Sequence, residues 1–208
     1  MNCFFEKYHD ALFKCTKPYQ YVGGEFLSFN KDFNSGKVRF AFAFPDKYEI
    51  GISNLGVRVL YDLVNRHEDY MADRVYAPEP DFSSEPLYAL ESKRAINEFD
   101  AVGFSLQYEM AYPTVLKMLE MSGIPYRNED RTDNDPIIIA GGPCAFNPLP
   151  VSDFIDVFMI GDGEDSILEV CEILEKTKAL PRSERIKALC AGENSGRWSK
   201  LTGGSSTK

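Results

Sequence analysis

The sequence predicts an α/β domain built on a parallel sheet, and three observations carry that prediction. Strand-like and helix-like segments alternate along the chain. The strand-like segments are continuously apolar instead of alternating, the pattern of strands covered on both faces. With 208 residues, 44% of them hydrophobic and 26% charged, the chain is long enough for one such domain plus extensions.

The elements follow in order. Asn2 to Lys14 places Phe4, Phe5, Tyr8, Leu12 and Phe13 at the spacing of a short amphipathic helix. Lys17 to Gly36, punctuated by Pro18, Gly23, Gly24 and Gly36, reads as loop. Val38 to Phe44 (VRFAFAF) is a strand that stops at Pro45, and Leu55, Val59, Leu60 and Leu63 mark a helix over roughly Ser53 to Asn65. Met71 to Tyr76 is the next strand, Ala77 to Pro86 a proline-broken loop, and Leu87 to Glu98 is ambiguous. Ala101 to Leu106 (AVGFSL) reads as a buried strand. Pro113 then sits in the first turn of a helix, where its missing N–H costs nothing, and Val115, Leu116 and Leu119 face inward. Pro136 to Ala140 (PIIIA) and Val157 to Ile160 are two further strands, with Ile167, Leu168, Cys171 and Leu174 on a helix behind the second. These elements divide the chain into an N-terminal helix and loop extension (1–36), the α/β domain (37–178), a following helix (179–191) and a tail (192–208). The tail, rich in Gly, Ser and Thr, reads as disordered, with Trp198 in solvent.

Composition narrows the function. The 23 basic and 32 acidic residues give a net charge of −9, a poor basis for direct binding to nucleic acid or to an anionic membrane. No apolar stretch approaches the length of a membrane span, and the start carries Glu6 and Asp10 but no apolar signal core, so a cytoplasmic protein is expected. The five cysteines, Cys3, Cys15, Cys144, Cys171 and Cys190, stand at least twelve positions apart. Zinc sites and iron–sulfur loops need closer thiolates, so no metal site is expected and the cysteines read as small apolar core residues. His9 and His67 read as exposed, and the acids Asp153 and Asp156 as a solvated face.

Ligands of open parallel sheets bind beyond the carboxyl ends of the strands. Here those ends carry Gly51, Ser53, Asn54 and Gly56 after the first strand, and Ser105, Gln107 and Tyr108 after AVGFSL. Gly141, Gly142 and Pro143 follow PIIIA, and Gly161, Gly163 and Glu164 follow the last strand. Glycine lets backbone N–H groups approach a ligand, and helix N-termini favour electron-rich groups. Each piece alone has a plainer reading: a Gly-Gly turn, a carboxylate on a helix dipole, a capped strand end. The third glycine of a dinucleotide fingerprint is missing, and so is a phosphate loop with lysine, which disfavours nucleotide binding.

On longer runs the chain resembles the N-terminal part of a family of cobalamin-binding-domain radical SAM proteins. The matching segments are Lys17-Pro18, Tyr21-Val22-Gly23-Gly24-Glu25, FPDKYEIGISNLGVRVLYDLVN, DRVYAPEPDF, PLYALES, FDAVGFSLQYEMAY and PIIIAGGPCAFNPLPVSDFIDVFMIGDGED. Together they cover about residues 17 to 191. The resemblance implies a flavodoxin-like, doubly wound (Rossmann-like) fold that holds cobalamin over the strand ends named above. The radical chemistry belongs to a following barrel, whose C-x-x-x-C-x-x-C loop binds a 4Fe-4S cluster that cleaves S-adenosylmethionine. This chain has no such loop, so on this reading it carries no catalytic residues, is truncated or split before the barrel, and is inactive alone. The barrel on another chain is the implied partner. With no histidine after His67, cobalamin would bind base-off and histidine-off, and Gly142→Val is expected to abolish binding with the fold intact, provided the glycine does not require positive φ. The alternative is a vestigial or interaction module that binds no cofactor and docks to a radical SAM partner.

Overall fold

The computed structural model describes residues 3–82, 86–192 and 196–198. Five parallel strands form the body of the sheet: β1 (Val38–Phe44), β2 (Tyr70–Tyr76), β3 (Ala101–Ser105), β4 (Ile137–Gly141) and β5 (Val157–Ile160). A short sixth strand, β6 (Gly196–Trp198), pairs antiparallel with β5, and the order across the sheet is β2-β1-β3-β4-β5-β6. The parallel part has the flavodoxin-like order, in which the chain reverses direction across the sheet between β1 and β3.

The continuous apolar strands have their physical cause in two covered faces. On one face α4 (Leu55–Arg66), α6 (Gly163–Thr177) and α7 (Arg182–Cys190) bury Val57, Tyr61, Val64, Val170, Leu174 and Leu189 against Phe40, Phe42, Ile137, Ile139 and Val157. On the other, α5 (Tyr112–Met121) and the irregular segments 87–99 and 144–155 bury Val115, Met118, Leu119, Ile96 and Ile155 against Ala41, Val102, Phe104, Ile138 and Phe158. Each large side chain so buried contributes about 1.5–3 kcal/mol. A separate small cluster packs α1 (Cys3–Lys14), through Phe4, Tyr8 and Leu12, on Phe82, whose ring stacks on Tyr21 at 3.9 Å.

Several expectations are corrected. The loop 17–36 contains a helical turn, α2 (Tyr19–Val22), started by Pro18 at φ −62°, and another turn, α3 (Tyr48–Gly51), follows β1. The crossover from β2 to β3 holds no α-helix among the described residues. Pro78, Pro80 and Pro86 cannot sit in a helix interior, and the chain makes one bridge, Tyr88 to Ala95, and a 3-10 turn, Ile96–Glu98. Asp156, read as solvated, is fully buried between Arg131 and Arg182. Of the tail, read as disordered, residues 196–198 form β6; residues 193–195 and 199–208, and the surroundings of the Trp198 side chain, lie outside what is described.

The outer edge of β2 is closed by side chains. Asn65 donates to Ala72 O at 2.9 Å and accepts from Ala72 N at 3.0 Å, while Arg74 N donates to Glu91 and Leu90 N donates to Arg74 O. No unpaired backbone remains at these positions to recruit another strand.

Candidate functional site

A cleft of about 240 Å³ opens at the carboxyl edge of the sheet, between α4 and α6. Its floor is the sheet face formed by Phe40, Phe42, Gly103, Ile139 and Met159. Val57 and Leu60 of α4 and Ile167 and Val170 of α6 form its walls. The floor exists because Gly103 has no side chain: a Cβ there would lie 2.7 Å from the Phe40 ring. The Gly163 position brings α6 close to α4, where a Cβ would meet Leu60 at 3.2 Å.

Nine of the thirteen residues singled out in the sequence line this cleft: Asn54, Gly56, Ser105, Gln107, Gly141, Gly142, Gly161, Gly163 and Glu164. Gln107 Nε2 donates to Ser105 Oγ at 2.8 Å, and Asn54 accepts from Val57 N at 3.0 Å as the cap of α4. Four residues do not line it. Gly51 is buried beneath the Tyr76 ring, where a Cβ would come within 2.4 Å. Ser53 donates to Ile50 O at 2.8 Å. Pro143 opens a 3-10 turn. Tyr108 donates to Asp46 across the loops after β1 and β3, a bond that holds its phenol above the ordinary tyrosine range.

The glycines separate by role. Gly142 has φ +98° and its Cβ would fall 2.8 Å from Leu106 O, so its lack of a side chain serves the backbone turn. The condition set on Gly142→Val is therefore not met: valine would strain the fold before it tested any ligand. Gly141 has no such restraint. A Cβ there would be 3.8 Å from Met159, in ordinary contact, and a longer side chain would enter the cleft.

Asp162 and Glu164, at the start of α6, are the only ionisable groups among the lining residues. His67 is at the opposite end of α4, stacked on Tyr70 at 4.0 Å, and His9 is exposed on α1. No group of three or more His, Cys, Asp or Glu side chains arranged to hold a metal occurs among the described residues, and Cys15, Cys144, Cys171 and Cys190 are buried and in no disulfide. The apolar lining was read in the sequence as core. Its residues share the apolar character of the packed face, and spacing alone does not separate a packed position from one that lines a void.

The family described as radical SAM proteins, N-terminal, matches residues 56–195, well over half of the chain. The chain belongs to this family. An uncharacterized protein of Methanocaldococcus jannaschii is 33% identical over 135 residues, which is 62% of this chain and 26% of the relative. The chain thus spans about a quarter of the length of the relative it matches. No solved structure matches. No helix among the described residues is long and apolar enough to cross a membrane.

Proposed function

We propose that this domain is the cofactor-holding module of a radical SAM protein and takes cobalamin at the carboxyl edge of its sheet. The observation that carries this reading is the cleft itself. It lies where the strand order reverses, its floor and walls are apolar, and its rim is made of glycines with polar and acidic groups, the usual build of a cofactor pocket. A cleft of about 240 Å³ cannot enclose a corrinoid. It suits one apolar group of the ligand, with the macrocycle resting on the rim at Gly141, Gly161 and Gly163. No imidazole, thiol or amine stands among the lining residues, so the chain offers cobalt no histidine there; the thioether of Met159 is the one soft donor in the lining. Cobalamin supplies alkyl-transfer or redox chemistry, and this chain's part is binding and orientation.

Titration with hydroxocobalamin, followed by visible absorbance and retention on gel filtration, tests the reading. Gly141→Leu should abolish binding with an unchanged circular dichroism spectrum, and His67→Ala should leave binding unchanged. No retention by the parent protein would refute it.

The second reading, a module that docks to a radical SAM barrel without a cofactor, is favoured by one observation. Met110, Phe146 and Leu149, on loops at this same edge, are 85%, 68% and 71% exposed. On that reading, replacing the three by Ser would abolish association with a barrel while hydroxocobalamin has no effect on it.

A further inference from the structure

The amino edge of the sheet, opposite the cleft, gathers cations in a chain of net charge −9. Asp100, just before β3, accepts from Arg39 Nε and Nη2, both at 3.1 Å, and pairs with Lys178 Nζ at 3.0 Å. Asp156, just before β5, pairs with Arg131 at 3.0 Å and with Arg182. Four cations thus share two buried or nearly buried carboxylates, and a fifth, Arg185, comes up beside them on α7. The other nearby acids are engaged elsewhere: Asp133 accepts from Arg182 N, and Asp135 accepts from Thr132 N and Oγ1.

Four of the five cations are held in ion pairs, although Arg182 Nε is also buried without a hydrogen-bond partner. Arg39 and Lys178 hold Asp100. Arg182 donates to Asp135 O and Pro136 O as well as to Asp156, and Arg131 donates to Pro125 O, Tyr126 O and Phe154 O. Arg185 is not. It is 94% buried, yet its one side-chain hydrogen bond is a long one, from Nη2 to the carbonyl oxygen of Asp100 at 3.3 Å. Its Nε is buried without a partner, and no carboxylate among the described residues lies within ion-pair distance of it. A guanidinium does not shed its proton in a protein, so burial cannot neutralise it. An unpaired buried charge is among the costliest groups a fold can carry.

The geometry points to an oxyanion site at the amino edge, in which Arg185 turns its unpaired guanidinium outward to an incoming phosphate, sulfate or carboxylate group beside Lys178 and Arg39. The planar fork of arginine matches two oxygens of such a group. A water molecule would satisfy the N–H but bring no charge, and that difference makes the inference testable. The site lies at the opposite edge from the cleft and does not depend on what the cleft binds.

The test uses the full chain at constant ionic strength, with chloride replaced stepwise by phosphate, sulfate or acetate. Thermal unfolding and isothermal titration calorimetry with phosphate are the readouts. A saturable rise of about 3 °C or more in the unfolding temperature, with a matching calorimetric isotherm, is expected. Arg185→Met keeps the apolar stem of the side chain and should lose the rise while melting in chloride no lower than the parent. Arg185→Lys keeps the charge without the fork and should bind phosphate at least about tenfold more weakly. A response to acetate as strong as to phosphate would assign the site to a carboxylate, such as that of a neighbouring polypeptide. A parent protein with no saturable response to any of the three anions would overturn the inference, as would an equal response in Arg185→Met.

Discussion

Gly141 and Gly142 are neighbours in sequence, and the structure gives their replacement by alanine very different costs. At Gly142 the backbone has φ +98° and ψ −179°, a region that costs a side-chain-bearing residue about 1–3 kcal/mol. An added Cβ would also sit 2.8 Å from Leu106 O and 3.2 Å from Leu106 N, so the backbone of residue 106 would have to move. That backbone holds two hydrogen bonds, from Leu106 N to Gly141 O at 2.8 Å and from Cys144 N to Leu106 O at 3.1 Å. Weakening both adds about 1–2 kcal/mol, so Gly142→Ala should destabilise by about 2–5 kcal/mol. At Gly141 no heavy atom would lie closer than 3.8 Å to the new Cβ, and Gly141→Ala should stay within about 0.5 kcal/mol of the parent. Urea unfolding at equilibrium, followed by circular dichroism, measures both. Two variants of equal stability would refute the assignment of Gly142 to the turn and Gly141 to the cleft.

Three further outcomes are expected. Asn65→Ala leaves the buried N–H and C=O of Ala72 without partners and should cost about 2–5 kcal/mol in urea unfolding; a loss below about 0.5 kcal/mol would mean that water reaches the β2 edge. Burial pushes the Lys93 ammonium down to about 8, so between pH 8 and 10 the native state sheds a proton that the unfolded state keeps. Stability should rise over that window by up to about 1.4 kcal/mol per pH unit, and Lys93→Met should flatten the rise. Above pH 10 the trend reverses, because burial holds Tyr21 and Tyr48 protonated up to about 12 while the unfolded chain ionises them. Finally, anaerobic reconstitution with iron and sulfide should yield no stoichiometric 4Fe-4S cluster on this chain, since its cysteines are at least twelve positions apart; visible absorbance and iron analysis would expose a cluster if one formed.

The sequence by itself determined the strands and the edge at which to look for a site. VRFAFAF, AVGFS and PIIIA are apolar without alternation because both faces of the sheet must leave water, and that requirement is written residue by residue. Their boundaries are local as well: β1 stops before Pro45, which has no N–H for the ladder, and β4 stops before Gly142 with its φ of +98°. What each strand-end residue does was decided only by tertiary structure. Gly51, Gly141 and Gly142 look alike in the sequence, yet one lies beneath the Tyr76 ring, one lines the cleft and one turns the backbone. The two ion-pair clusters at the amino edge were hidden for the same reason. Asp156 meets Arg131 and Arg182 across 25 and 26 positions, and Asp100 meets Arg39 and Lys178 across 61 and 78. Periodicity reports which face of its own element a residue occupies, whereas the order of strands across the sheet decides which distant residue it meets there, and burial and ion pairing depend on that meeting.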